Sequence, residues 1–133
     1  MKIVAVVPIK TNNERLPGKN TKLLGGVPLV RHVLRSLIDV SSINERYVFC
    51  SDDGVGKHLL PGIAFLERDA ALDLPDSNFT QIFESFSKEV CADIYVYAHA
   101  TAPFVTAETI GGCIDAVKSG KHDSAFCAVK IEP

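Results

Sequence analysis

The sequence has no surplus of positive charge. Fourteen Lys and Arg stand against sixteen Asp and Glu, a net charge of −2, whereas general nucleic-acid binders normally carry a basic excess. No nucleic-acid partner is therefore expected, and any anionic ligand must be met by a local cluster of cations. No apolar run approaches membrane-spanning length, so no membrane partner is expected either. The four cysteines, Cys50, Cys91, Cys113 and Cys127, form no C-x-x-C pair and no paired spacing with histidine. That argues against a zinc site and against a disulfide framework. They read as free, mostly buried thiols of a reducing cytoplasm. Repeats, low-complexity segments and internal linkers are lacking as well.

What is present is enough apolar material for one core. The chain has 133 residues, 47% of them hydrophobic, which suits a single domain. Residues 2–8 are continuously apolar after Lys2, as in a strand covered on both faces. A signal-peptide reading of the same run fails, because Pro8 cuts it short and no small-residue cleavage site follows. A polar loop spans residues 9–26. Pro28 suits the first turn of a helix, and Leu29, Val30, Val33, Leu34, Leu37 and Ile38 share its apolar face. Residues 46–50 and 63–66 read as strands, with a short helix over 54–60 between them. Asn78 followed by Gln81 resembles a capping box, opening a helix whose apolar face holds Phe79, Ile82, Phe83, Phe86 and Val90. A fourth strand covers 93–98. Thr106 is a good N-cap for a helix carrying Ile110, Cys113, Ile114 and Val117, and Gly120 follows its end. Residues 124–129 read as a fifth strand. This alternation predicts an α/β fold with parallel pairing and right-handed crossovers. Ending on an apolar strand with no closing helix is what the front part of a longer domain would do, and residues 1–133 are expected to be the N-terminal portion of one nucleotide-binding domain.

In such sheets ligands bind at the carboxyl ends of the strands. The first such end, Pro8–Asn20, carries the cations Lys10, Arg15 and Lys19 and the amides of Asn12, Asn13 and Asn20, with a turn at Pro17–Gly18. Cations and turn N–H groups together can cradle a polyphosphate. Arg15 could bind bidentately, and Lys19 could act as a movable point charge. Neither G-x-x-x-x-G-K-[ST] nor G-x-G-x-x-G occurs there, and from composition alone a solvated loop of mixed charge is the stronger reading. Asp52 and Asp53 after the second strand could hold Mg²⁺, but a turn or capping role suits them better. His99 ends the fourth strand, where it is either a sugar-contacting or proton-handling group or a histidine satisfied by backbone. His32, His58 and His122 read as structural or exposed.

The stretch VVPIKTNNERLPGKNTKLLGGVPLV (Val6–Val30) resembles the opening signature of the CMP-acylneuraminate synthetases and the related CMP-Kdo synthetases, I-P-A-R-x-G-S-x-R-L-P-G-K-N followed by K-x-L-x-G-x-P-L. Arg15-Leu16-Pro17-Gly18-Lys19-Asn20 matches without a gap, and Lys22, Leu24, Gly26, Pro28 and Leu29 continue in register. Phe49–Asp53, Arg68 with Leu72, and His99–Phe104 are similar to later segments of the same families. The resemblance implies a Rossmann-like nucleotide-diphospho-sugar transferase fold, a mostly parallel sheet with helices on both faces, incomplete at its C-terminus. It implies transfer of CMP from CTP to an acidic sugar, sialic acid or another nonulosonic acid, with release of pyrophosphate. Lys19, Arg15 and Asn20 would be catalytic. Lys10, Thr11, Asn12, Gly18 and Arg68 would bind the nucleotide, and His99 and Thr101 the sugar. Mg²⁺ is expected for the family, with its acidic ligands in a segment later than this chain reaches. CTP, an acidic sugar, a second copy in a homodimer and a cytoplasmic setting complete the implied picture. Several residues depart from the pattern: Lys10-Thr11-Asn12-Asn13 replaces R-x-G-S, Glu14 an often basic position, Asp69 a Pro, His99 a Gln and Val105 an Arg. The changes at His99 and Val105 lie on the sugar side. A non-catalytic nucleotide-binding or assembly module is the competing reading.

Overall fold

Val4, Ala5 and Val7 of the first strand are completely buried, and the strand is sealed on both faces, so it can only be central. The computed structural model describes residues 1–10, 18–128 and 131. In chain order the elements are β1 (Ile3–Ile9), β2 (Leu23–Leu24), β3 (Val27–Pro28), α1 (Leu29–Ile38), β4 (Glu45–Cys50), β5 (Ala64–Glu67), α2 (Phe79–Glu89), β6 (Ile94–Tyr97) and α3 (Ala107–Lys118), with short 3-10 turns at Lys19–Thr21, Asp53–His58 and Ala70–Asp73. The main sheet has the order β5-β4-β1-β6, and every pair is parallel.

Alternation along β1 divides the core. Ile3, Ala5, Val7 and Ile9 face Val30, Val33, Leu34 and Leu37 of α1 and Ile110 and Ile114 of α3. Val4 and Val6 face the other way, onto Phe49, Phe86 and Val90 beneath α2. Helices thus cover both faces, as the strand–helix alternation predicts. Burying each large side chain contributes about 1.5–3 kcal/mol, so α1 and α2 are held mainly by their apolar stripes. The helix starts follow the expected chemistry. Asn78 and Gln81 form a reciprocal capping box, Thr106 accepts from the Thr109 N–H at 3.1 Å, and Gly120 takes φ +77° just past α3. No helix among the described residues is long and apolar enough to cross a membrane.

Three expectations are corrected. Residues 124–128 are not a strand: they run irregular and exposed, with Phe126 84% accessible. An apolar run becomes a strand only when a neighbour supplies ladder bonds, and β6 instead remains the sheet edge. Val129, the last residue of that expected strand, lies outside the described residues. The thiols are not mostly buried. Only Cys50 is; Cys113 is half-buried, while Cys91 and Cys127 are exposed, because Cys91 follows the end of α2 and Cys127 sits on the unpaired segment. Finally, the stretch read as a loop up to Gly26 contains the β2–β3 hairpin. Gly25 and Gly26 both take positive φ, 62° and 81°, the backbone a two-residue hairpin turn demands.

Candidate functional site

Because all four strands are parallel, their carboxyl ends share one edge. β1 delivers Lys10 there, β4 delivers Ser51 and Asp52, β5 delivers Arg68, and β6 delivers His99 and Thr101. The order also places a topological switch point between β1 and β6, where open α/β sheets leave a crevice.

Thr11, Asn12 and Arg15 lie outside the described residues. The description resumes at Gly18, which takes φ +69° and ψ 18° and caps the Lys19–Thr21 turn. A side chain at this left-handed position would be strained. The N–H and the hydroxyl of Thr21 both donate to the Gly18 carbonyl at 3.1 Å. Lys19 opens the turn, half-buried. Asn20 is only 6% exposed, and its Nδ2 donates to the carbonyl of Lys10 at 2.8 Å. The amide therefore ties the two ends of the Lys10–Asn20 stretch together. A cleft of about 250 Å³ opens beside it, lined by Gly18, Asn20, Thr21, Asp52, Gly54 and Lys57 among others. Arg31 Nε of α1 donates to the His58 carbonyl at 2.9 Å and so fixes the 53–58 turn against α1. Lys57 is a cation that no motif flagged. Asp52 caps that turn, accepting from the Gly54 N–H at 2.9 Å. Among the described residues no group of three or more His, Cys, Asp or Glu is arranged to hold a metal ion.

Arg68, His99 and Thr101 do not line this cleft. Arg68 follows β5 directly, and its N–H donates to the Cys50 carbonyl at 2.9 Å. Its side chain is buried, with Nη2 2.5 Å from Asp73 Oδ1. The other Asp73 oxygen accepts from the Ser51 hydroxyl. The guanidinium carbon sits 5.9 Å from the centre of the Phe49 ring, within cation–π range. Arg68 Nε has no hydrogen-bond partner, and a buried orphan donor costs about 1–3 kcal/mol. Asp69, which stands where the resembling families have Pro, caps the 70–73 turn by accepting from the Ala71 N–H at 2.9 Å. Burial pushes the Cys50 thiol above its ordinary pKa, so it is an inert neighbour rather than a nucleophile.

His99 is exposed, its ring edge-on to Tyr97 at 4.9 Å. Tyr97 meets Phe79 of α2 edge-on at 4.6 Å, and Phe79 is 55% exposed. Burial raises the Tyr97 pKa, with the nearby positive charge of Arg68 acting in the opposite direction. Thr101 is exposed on the turn closed by the Ala102 N–H donating to the His99 carbonyl. A larger cleft of about 590 Å³ runs along the flank of α1, past Arg31, Arg35 and Phe104. It is lined by His32, Val105 and Thr106 but by none of the candidate catalytic, nucleotide-binding or sugar-binding residues among those described.

With this geometry in hand, three comparisons bear on the site. The family model described as Cytidylyltransferase matches residues 4–133. The chain is 31% identical to the CMP-N,N'-diacetyllegionaminic acid synthase of Legionella pneumophila, over 100% of this chain and 61% of that protein. It is 24% identical to N-acylneuraminate cytidylyltransferase A of Danio rerio, over 96% of this chain and 30% of the relative. It thus spans less than two thirds of the length of these curated relatives. Among solved structures, CMP:2-keto-3-deoxy-manno-octonic acid synthetase complexed with CTP superposes with a TM-score of 0.76 at 23% identity, over 90% of this chain and 48% of that one. At that identity the likeness establishes the Rossmann-like fold, again over about half of the neighbour.

Proposed function

The chain belongs to the cytidylyltransferase family, and from that premise we propose that it is the nucleotide-binding portion of an enzyme that transfers CMP from CTP to an acidic sugar. The single observation that carries the reading is the Gly18–Thr21 turn, pinned to the end of β1 by the Asn20–Lys10 bond beside a cleft at the strand ends. In the reaction the sugar hydroxyl forms a bond to the α-phosphorus of CTP, the bond from that phosphorus to the bridging oxygen of the β-phosphate breaks, and pyrophosphate leaves. The hydroxyl proton passes to solvent. The protein needs little covalent chemistry for this; it must align the two reactants and meet the charge that develops on the leaving group. Lys10 and Lys19, with Arg15, are the cations for that task, and Thr11, Asn12 and Gly18 supply loop contacts to the phosphates. Asn20 keeps the turn in place, and Arg68 addresses the nucleotide from the end of β5.

Mg²⁺, which the family resemblance implies, would neutralise phosphate charge when bound. The described residues offer no cluster that fits it, so no step is routed through the metal. For the acceptor we favour a nonulosonic acid bound near His99 and Thr101. Support comes from the whole-chain similarity to a diacetyllegionaminic acid synthase and from the Phe79–Tyr97–His99 ring contacts at the end of β6, an apolar surface suited to the C–H face of a sugar. Homodimerisation and a cytoplasmic setting belong to the same proposal.

The test is pyrophosphate release from CTP with Mg²⁺ and, in turn, N,N'-diacetyllegionaminic acid, N-acetylneuraminate and 3-deoxy-manno-octulosonate. Release with a nonulosonic acid is the expected result. CTP binding without release from any acid would mark a binding module instead, and absence of CTP binding would overturn the reading. Lys19→Ala should weaken CTP binding about 10–100-fold, the worth of one charge-assisted hydrogen bond. An unchanged affinity would remove Lys19 from the phosphate site.

A further inference from the structure

Among the described residues, Arg68 and Asp73 are the one ion pair withdrawn from solvent, their side chains 2% and 10% exposed. The other pairs, Lys2–Glu45 and Lys88–Glu84, lie at the surface. Burying two charges is weak evidence for stability, since apolar residues of similar volume often do as well. This pair is also incomplete. A guanidinium carries five donors in a fixed fork, yet Nε meets nothing. An unsatisfied buried donor in an otherwise well-bonded protein calls for an explanation.

Its surroundings are built to hold it still. Arg68 follows β5 and Ser51 follows β4, while Asp73 ends the 70–73 turn, so all three meet at the carboxyl edge. Phe49 lies under the guanidinium. Asp73 receives Nη2 on one oxygen and the Ser51 hydroxyl on the other. The turn bearing Asp73 is itself secured, by the Asp69 cap and by the Ser77 hydroxyl donating to the Ala71 carbonyl at 3.1 Å. Such a relay fixes both the orientation and the position of the planar fork.

We propose that Asp73, braced by Ser51, is a positioning residue that presents the remaining Arg68 donors to an acceptor oxygen of the bound nucleotide. This rests on the reading of the chain as a CTP-binding cytidylyltransferase. The acceptor is either a base or ribose oxygen or a phosphate oxygen, both being hydrogen-bond acceptors that a guanidinium suits.

The experiment is calorimetric titration of CTP, cytidine and pyrophosphate into the wild type, Asp73→Asn, Ser51→Ala and the double variant Arg68→Met/Asp73→Leu, with melting temperatures alongside. Asp73→Asn is expected to weaken CTP binding at least about tenfold, and Ser51→Ala to weaken it less. The double variant is expected to melt within a few degrees of the wild type and still bind CTP poorly, a split that a purely structural pair would not give. Losses shared by cytidine place the acceptor on the nucleoside, and losses shared by pyrophosphate place it on the phosphates. Wild-type affinity in Asp73→Asn, or in a folded double variant, overturns the proposal alone. A wild type that binds no CTP overturns the underlying function and this proposal together.

Discussion

Replacing Asn20 by aspartate preserves the shape of the side chain and removes its donor. Asn20 Nδ2 lies 2.8 Å from the Lys10 carbonyl and the residue is 6% exposed, so a carboxylate would bring an oxygen against an oxygen with little water to separate them. Asn20→Ala only deletes the bond, leaving the half-buried carbonyl of Lys10 without it. Losing such a bond costs about 0.5–1.5 kcal/mol net. Asn20→Asp adds the desolvation of a nearly buried charge, a penalty of several kcal/mol when uncompensated. The neighbouring lysines recover part of it, so the aspartate variant is expected to be at least about 1 kcal/mol less stable than the alanine variant at neutral pH. The difference should shrink on acidification. Burial raises the pKa of the introduced carboxyl above its unfolded value, so its destabilisation is complete at high pH and fades as pH falls through the folded value; the protonated group can again donate to Lys10. Urea unfolding of both variants at pH 7 and pH 5 measures this, with CTP affinity as the functional companion. Equal stabilities at pH 7, or a gap that does not narrow at pH 5, would refute the assignment of Asn20 as the tie across this loop.

Two further perturbations bear on the frame beneath the site. Phe86 is fully buried and meets Tyr47, Phe49 and Tyr95 edge-on at 5.7, 5.5 and 6.2 Å, so Phe86→Ala should cost about 3–5 kcal/mol in chemical denaturation, and a loss below about 1.5 kcal/mol would mean the site collapses around the gap. The surface pair Lys2–Glu45, 2.8 Å apart, gives a pH signature. The bond from Lys2, then that from Tyr47, holds the Glu45 carboxyl below its ordinary value, while the same Lys2–Glu45 bond raises Lys2. The Glu45 contribution is therefore complete above the ordinary glutamate pKa and lost as pH falls through the lower folded value; that of Lys2 is complete below the ordinary lysine pKa and lost as pH rises through the raised one. Glu45→Gln should flatten the acid limb of stability against pH, and an unaltered limb would show that the contact has no such linkage.

Much of this frame was legible because its signals are local. The uninterrupted apolar run of β1 announces a strand buried on both faces, and Asn78 with Gln81, or Thr106 as an N-cap, announces a helix start. Residues 124–128 have the same apolar look as β1, but pairing is not a local property, and no neighbour takes them up. The hairpin at Leu23–Pro28 was hidden by its brevity, although the Gly25–Gly26 pair carried its signal. Around the site, the residues proposed to meet the phosphates stand out as an ordered motif, whereas Asp73 and Ser51 do not. They are 22 residues apart and meet only because β4 and β5 lie side by side in parallel. Lys57 reaches the cleft through a turn whose position depends on Arg31 of α1, which spacing along the chain does not reveal.

The parallel sheet also sets an order of events during synthesis. β1 is made about ninety residues before its partner β6: Ile3 pairs with Ile94, and the Lys2 N–H donates to Asp93 across 91 residues. At a translation rate of about 5–20 residues per second, the most hydrophobic strand of the chain waits roughly 5–20 s for that neighbour. Through that interval it can be shielded only on the side of β4 and α1. The strand that leads toward the Gly18–Thr21 turn therefore begins as an adhesive stretch of nascent chain, with one edge open until β6 is made.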